Sequence, residues 1–199
     1  MRPLFFNNTS RRQRGVAAVE FALLVGVFFS FLVGVIELSR AMYVYQTLQE
    51  VTRRAASAAA HADFNNADQL DRIRQYAVLR STPGELPLGA PVTDQHVRIE
   101  YLALLRNAAG QLAMTPIARD ALPATPALNR QVCNLNPNSP SCIRFVQVQI
   151  CDPDSTANCG RVPYQLMLPL ISFDLFLPRA TTISVAESLG YEPGQAPNR

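Results

Sequence analysis

The chain has 199 residues, of which 48% are apolar and 17% charged, a composition that excludes a wholly disordered protein. All 18 basic residues are arginine, which excludes any chemistry that needs a lysine amine. The formal charge of +3 arises from residues 1–15, because the rest of the chain has 14 arginines against 15 acidic residues. We therefore expect no basic face for nucleic acid in the folded part.

A long apolar segment follows this basic leader. From Val16 to Leu38 the only charged residues are Glu20 and Glu37. As an α-helix the segment would be about 35 Å long, enough to cross a hydrocarbon core of about 30 Å. We predict a transmembrane helix at 16–38, with its basic leader in the cytoplasm and the rest of the chain on the other side. A cleaved secretory signal is the alternative, but no small-residue cleavage site follows the apolar run.

Small side chains recur every four residues along the predicted span. Such a ridge lets a second helix approach closely in lipid, where packing and not hydrophobicity drives association. We therefore predict a helix contact face made by Ala18, Ala22, Gly26, Ser30 and Gly34.

The helical pattern continues beyond the predicted span, because no proline occurs between Leu4 and Thr82 and apolar residues recur at alternating three- and four-residue spacing. This predicts one helix from Val16 to about His61, with Tyr43 and Tyr45 near the outer membrane interface. A second helix is predicted from about Ala67 to Arg80, capped by Asn66 or Asp68. The apolar stripe of the long helix comprises Ala41, Val44, Leu48, Val51, Ala55, Ala58 and Ala62.

A β-rich region is predicted from residue 83, where fourteen of the fifteen prolines lie. HVRIEYLAL (96–104), RFVQVQIC (144–151) and TTISVAES (181–188) alternate apolar and polar residues as strands do. Residues 115–131 and 163–178 are predicted to be loops because prolines interrupt them.

The predicted fold class is α+β, with a long N-terminal transmembrane helix that continues into a small disulfide-stapled domain with an antiparallel β-sheet. The predicted divisions are a cleaved leader at 1–15, the span at 16–38, a helical stalk with the second helix at 39–82, and the β-rich domain at 83–199.

Four cysteines lie close together on the predicted outer side of the membrane, where an oxidising periplasm favours pairing. Three connectivities are possible. We favour the local pairs Cys133–Cys142 and Cys151–Cys159, since each encloses a turn-rich loop. Zinc is disfavoured because the chain has no C-x-x-C and its two histidines are distant.

Signals for catalysis or cofactor binding are weak. His61 and His96 stand alone, without a serine or cysteine nucleophile in a recognisable setting. DPDSTAN (152–158) suggests calcium, but Ala157 replaces the glycine that such a loop needs and Pro163 replaces its final glutamate. We therefore predict a turn there, and no metal, no cofactor and no enzymatic activity.

Residues 14–61 resemble TadE-like minor pseudopilins of the tight-adherence (Tad, or Flp) type IV pilus system. The resemblance rests on the basic leader, on RGVAAVEFALL with its apolar run, and on IELSRAMYVYQTLQEVTRRAASAAA. In that family the prepilin peptidase cuts after the glycine that corresponds to Gly15. Val16 would then become the first residue, Glu20 the fifth, and Phe21 the aromatic residue that usually follows. The apolar run lacks the proline of many relatives, which argues against a kink.

The resemblance implies a minor subunit that assists assembly of a pilus for adhesion or secretion. The implied partners are the prepilin peptidase, other Tad pilins and pseudopilins, the inner-membrane assembly platform and membrane lipid. The implied location is the bacterial inner membrane, with the C-terminal domain in the periplasm. The alternative function is a single-pass anchored periplasmic domain that binds a ligand or envelope partner outside any filament.

Overall fold

The computed structural model describes residues 13–155, 159–167, 174–186 and 188–191. Most of the predicted leader, Ala157 and parts of the predicted 163–178 loop therefore lie outside the described residues. The fold class is α+β, as predicted, and the chain divides into two compact units, residues 1–42 and 43–199. The elements are α1 (Gln13–Ala59), α2 (Ala67–Ala77), β1 (Val97–Arg106), β2 (Leu112–Pro116), α3 (Pro126–Leu135), β3 (Phe145–Ile150) and β4 (Thr181–Val185).

Helix α1 confirms the prediction of one long helix, because its ends differ from the predicted ones by two or three residues. It continues for 47 residues, since nothing in its sequence breaks a helix as proline does. Its apolar part reaches a mean hydropathy of 2.5, so α1 is a candidate membrane-spanning helix by length and composition.

The second half of α1 contributes one side of the core of residues 43–199. Val44, Leu48, Val51 and Ala55 are buried as predicted. The prediction was wrong at Ala58, which is exposed. A straight α-helix has 3.6 residues per turn, so a pattern spaced at 3.5 drifts by about 20° every seven residues. Near the end of the helix the buried residues are therefore Ala56, Ala59 and Ala60.

Helix α2 begins where predicted but ends three residues early. The Asn66 side chain accepts a hydrogen bond from the Gln69 backbone N–H at 3.1 Å, which caps the first turn. The helix ends at Ala77 and not at Arg80, because Leu79 adopts a left-handed backbone conformation with φ 62°.

The sheet is antiparallel throughout, in the order β2-β1-β3-β4. All three predicted strands are confirmed, and the register pairs Val148 with Ile99 on one side and Thr182 on the other. One face packs on the second half of α1, where the hydroxyls of Thr52 and Thr182 are 2.9 Å apart. At the end of α1, the Tyr101 hydroxyl donates to the carbonyl of Ala59 at 3.4 Å.

The predicted loop at 115–131 was wrong at both ends. Its first residues belong to β2, an edge strand, and its last residues belong to α3. The Thr125 hydroxyl accepts from the Leu128 backbone N–H at 3.1 Å, and Pro126 occupies the first turn of α3, where no intrahelical N–H bond is lost. Thr125 and Pro126, which the prediction placed in a loop, therefore begin a helix.

Both predicted disulfides are confirmed. Cys133 is bonded to Cys142 and Cys151 to Cys159, with sulfur–sulfur distances of 1.98 and 2.01 Å. The first joins α3 to the segment before β3, where the buried Asn129 side chain also accepts a hydrogen bond from the Ile143 N–H at 2.8 Å. Each closes a short ring, and the chain-entropy account assigns such rings about 2–3 kcal/mol of stability.

His96 closes a short 3₁₀ turn ahead of β1. Its Nδ1 accepts a hydrogen bond from the Thr93 backbone N–H at 3.0 Å, which requires Nδ1 to carry no proton. Burial, the largest cause, lowers the pKa of His96 below its ordinary 6.5, while the charges of Asp152, Asp94 and Asp154 oppose this shift. The folded state therefore binds this proton more weakly than the unfolded chain does.

We expect the free energy of unfolding to fall as the pH is lowered through about 6.5, because the unfolded chain then takes up a proton that the folded state resists. His96→Asn keeps an acceptor for the Thr93 N–H and removes the titration, so its stability profile is expected to be flatter. Denaturant unfolding between about pH 5 and pH 8 measures this. Equal slopes for wild type and His96→Asn would contradict the prediction.

Candidate processing and assembly site

The residues predicted for processing lie together in the first turns of α1. Gly15, Val16, Glu20 and Phe21 are all exposed. Val16 and Glu20 are four positions apart, so they occupy the same side of the helix one turn from each other. Helical side chains tilt toward the N-terminus, which directs the Glu20 carboxylate toward the backbone of Val16.

The peptide bond between Gly15 and Val16 lies in the first turn of α1, which begins at Gln13. Glycine weakens a helix by about 1 kcal/mol relative to alanine. Gly15 therefore weakens the helix beside this bond, which favours presenting the bond to a peptidase in extended form.

The two glutamates that bracket the span have different environments. Arg40 Nη1 lies 3.4 Å from Glu37 Oε1, an ion pair between neighbouring turns. Among the side chains that the structure describes, Glu20 has no hydrogen-bond or ion-pair partner. Arg40 was not predicted as the partner of Glu37, although the three-residue spacing is a usable signal. The Glu20 carboxylate therefore needs a hydrogen-bond or ion-pair partner from outside the described side chains.

The small-residue ridge is exposed along its whole length, and its five members are Ala18, Ala22, Gly26, Ser30 and Gly34. The Ser30 hydroxyl donates to the Gly26 carbonyl at 2.8 Å, so it needs no partner from another helix. Each four-residue step advances about 40° around the axis, so the two ends of the ridge face nearly opposite ways. One straight partner helix would therefore contact about three successive members.

The glycines of the ridge are not required by packing within this chain. A Cβ atom added at Gly26 or Gly34 would meet no described atom within 4 Å. Contacts within the described part of the monomer therefore do not require glycine at these two positions. This agrees with the prediction that the ridge contacts a second helix.

A surface contact between a serine and a histidine was not anticipated. His61 Nδ1 and Ser188 Oγ are 2.5 Å apart, and the Gly190 N–H donates to the Ala62 carbonyl at 3.2 Å. Both contacts join the turn after α1 to residues 188–191. The signal was out of reach from sequence, because the partners lie far apart along the chain.

Comparison with known proteins bears on α1 alone. Residues 15–57 match a family model described as TadE-like protein. The match covers about a fifth of the chain, begins at Gly15, and includes every predicted processing and ridge residue. No curated protein and no solved structure matches the chain. The resemblance to the TadE-like family is thus confirmed for the long helix.

Proposed function

We propose that this chain is a minor pseudopilin that acts in assembling a Tad, or Flp, pilus for adhesion or secretion, because residues 15–57 match a family model described as TadE-like protein. The observation that carries the proposal is the family match, which starts at Gly15 and follows one continuous helix. The protein crosses the inner membrane once, with its leader in the cytoplasm and its C-terminal domain in the periplasm. Its partners are the prepilin peptidase, other Tad pilins and pseudopilins, and the inner-membrane assembly platform.

In this proposal the chain is the substrate of a peptidase and not itself an enzyme. Cleavage after Gly15 removes the arginine-rich leader and leaves Val16 with a positive α-amino group. The new helix start has unpaired N–H groups as well as this charge, so an acid nearby is stabilising. Glu20 is the first acid after the cut, which supports its role as the partner of an amine.

The amine that Glu20 binds distinguishes the monomer from the assembly. In a monomer Glu20 can lean toward its own Val16, one turn away. In an assembly it binds the Val16 amine of a neighbouring subunit, while the small-residue ridge brings the two helices close. Charge buried in lipid is costly, so pairing between subunits favours association.

Mass spectrometry of the protein from its native host tests processing. We expect the mature N-terminal peptide to begin at Val16, because the peptidase cuts after Gly15. Gly15→Val places a branched side chain beside the scissile bond and is expected to leave the leader attached. Gly26→Val is the matched control, since it changes a glycine of the span away from the cut and is expected to be processed normally. An intact leader on the wild-type chain would refute the proposal and favour the anchored periplasmic domain.

A further inference from the structure

Two exposed leucines of the unit formed by residues 43–199 have left-handed backbone conformations. Leu79 has φ 62° and is 48% exposed, and Leu88 has φ 58° and is 72% exposed. Bulky residues without a polar side chain seldom adopt this conformation. Such strain persists only where the surrounding structure maintains it, and it clusters at functional sites.

The loop that carries Leu88 is rigidly built. Leu86 is buried in the core, and its N–H donates to the Val92 carbonyl at 2.8 Å. The Gly89 N–H donates to the Leu86 carbonyl at 2.9 Å. A Cβ atom at Gly89 would come within 2.5 Å of the Leu86 side chain, so the two residues pack as closely as glycine allows. The packing of Leu86 in the core and of Gly89 against it therefore fixes the outward position of Leu88.

Each leucine is related to Tyr43, which begins this unit, by a shared cavity or by a hydrogen bond to the preceding residue. Leu79 and Tyr43 line one cavity of about 320 Å³. The Tyr43 hydroxyl donates to the carbonyl of Pro87, the residue before Leu88, at 3.4 Å. One aromatic ring and two leucines thus lie on the same side of the unit.

Chain length keeps this end near the membrane. Tyr43 follows Leu38, the last residue of the predicted span, by five residues, which is about 7.5 Å along a helix. Even a fully extended chain of five residues would reach only about 18 Å. The polar layer on each side of a hydrocarbon core is about 5–8 Å thick. Tyr43 therefore lies at or just above the depth of the lipid headgroups.

We infer that Tyr43, Leu79 and Leu88 form a surface that rests on the bilayer, with the two leucines inserted at the boundary between headgroups and acyl chains. Tyrosine is favoured at that depth, and apolar side chains there gain from burial in lipid. This membrane-resting surface gives the unit of residues 43–199 a membrane anchor of its own. The inference requires that residues 16–38 cross the bilayer but does not require a pilus.

The absence of tryptophan from the chain makes a direct test possible, since one introduced tryptophan is then the sole indole. The full-length Leu88→Trp protein is reconstituted in phosphatidylcholine vesicles whose acyl chains are brominated near the headgroup. We expect its emission to be blue-shifted and about twofold lower than in unbrominated vesicles, because bromine quenches an indole at that depth. Leu79→Trp is a second reporter, in case the first variant folds poorly.

Leu135→Trp is the matched control, because Leu135 is 80% exposed on α3. Asn129 of α3 contacts Ile143, and Gly190 joins Ala62 beside Pro126, so α3 belongs to the end of the unit where α1 finishes. The helix from Tyr43 to Ala59 is about 24 Å long, which places this control far from the proposed surface. We expect its emission not to respond to bromine.

Phe28→Trp, in the middle of the span, is the positive control and is expected to be quenched most by bromine placed deep in the acyl chains. If it is not quenched, residues 16–38 do not span and the inference falls with them. If Leu88→Trp and Leu79→Trp respond no more than Leu135→Trp, the surface does not contact lipid and the inference is overturned. Processing at Gly15 affects neither readout, so a failure here is separate from a failure of the pseudopilin proposal.

A substitution that relieves the backbone strain at Leu88 is expected to preserve folding while weakening lipid contact. Asparagine tolerates the left-handed conformation better than leucine does and has no apolar side chain. Adding Leu88→Asn to the Leu79→Trp protein is therefore expected to leave denaturant unfolding unimpaired while reducing bromine quenching of the indole. Unchanged quenching would remove Leu88 from the membrane-resting surface.

Discussion

Replacing Glu20 with glutamine is expected to leave cleavage after Gly15 intact and to reduce assembly of the subunit about tenfold or more. A tenfold loss corresponds to about 1.4 kcal/mol of association free energy. Glutamine keeps the shape of the side chain but cannot form an ion pair with a Val16 amine. The substitution also removes the cost of keeping an unpaired charge in lipid, so it stabilises the monomer relative to the assembly. Crosslinking to other pilins, together with electron microscopy of pili, measures the effect.

Glu37→Gln is the control for this prediction. It removes the same charge from the other end of the span, where Glu37 already pairs with Arg40 in its own chain. We expect it to impair assembly much less than Glu20→Gln does. Normal piliation by a cleaved Glu20→Gln subunit would contradict the pairing argument, and an uncleaved one would reassign Glu20 to recognition by the peptidase.

Replacing Leu48 with alanine is expected to destabilise the unit of residues 43–199 by about 2–5 kcal/mol, the range for large-to-small substitutions in a core. Leu48 is fully buried among the residues where the second half of α1 packs on the sheet and α2. The smaller side chain leaves a cavity that a rigid helix and a sheet can close only in part. Denaturant unfolding of the full chain in detergent micelles, followed by circular dichroism, measures the loss.

Leu24→Ala is the matched control on the same helix, because Leu24 is exposed in the apolar half of α1. We expect it to change unfolding of the unit by less than about 0.5 kcal/mol, as is usual for surface substitutions. Equal losses for the two variants would mean that residues 44–59 are not part of the folded core.

The elements that sequence predicted correctly are those with a strong local signal. Helix α1 contains no proline that would break it. Strand β3 alternates Val146, Val148 and Ile150 with glutamines, so the periodicity of each element is visible within a few residues. The cysteine pairing was also local, because each ring closes over fewer than ten residues. The processing residues stay a prediction, drawn from a motif confined to the start of one helix.

The errors arose where local signals competed. Thr125–Pro126 reads equally as a loop or as the start of a helix, and what selects α3 is the later contact of Asn129 with Ile143. Ala58 and Ala59 are identical in chemistry, so only the rotation of α1 against the sheet decides which one is buried. Alternation could not locate β2, because it is an edge strand whose residues are exposed on both faces.

By itself, the sequence determined the apolar segment, the long helix and the pairing of the cysteines, because each depends on residues that are neighbours along the chain. Only the tertiary structure decided which face of α1 is buried and that Leu79 and Leu88 lie on the same side of the unit as Tyr43. The last depends on the core holding Leu86 and on the close packing of Gly89 against it. Such contacts join residues distant in sequence, and their energies exist only once the chain has folded.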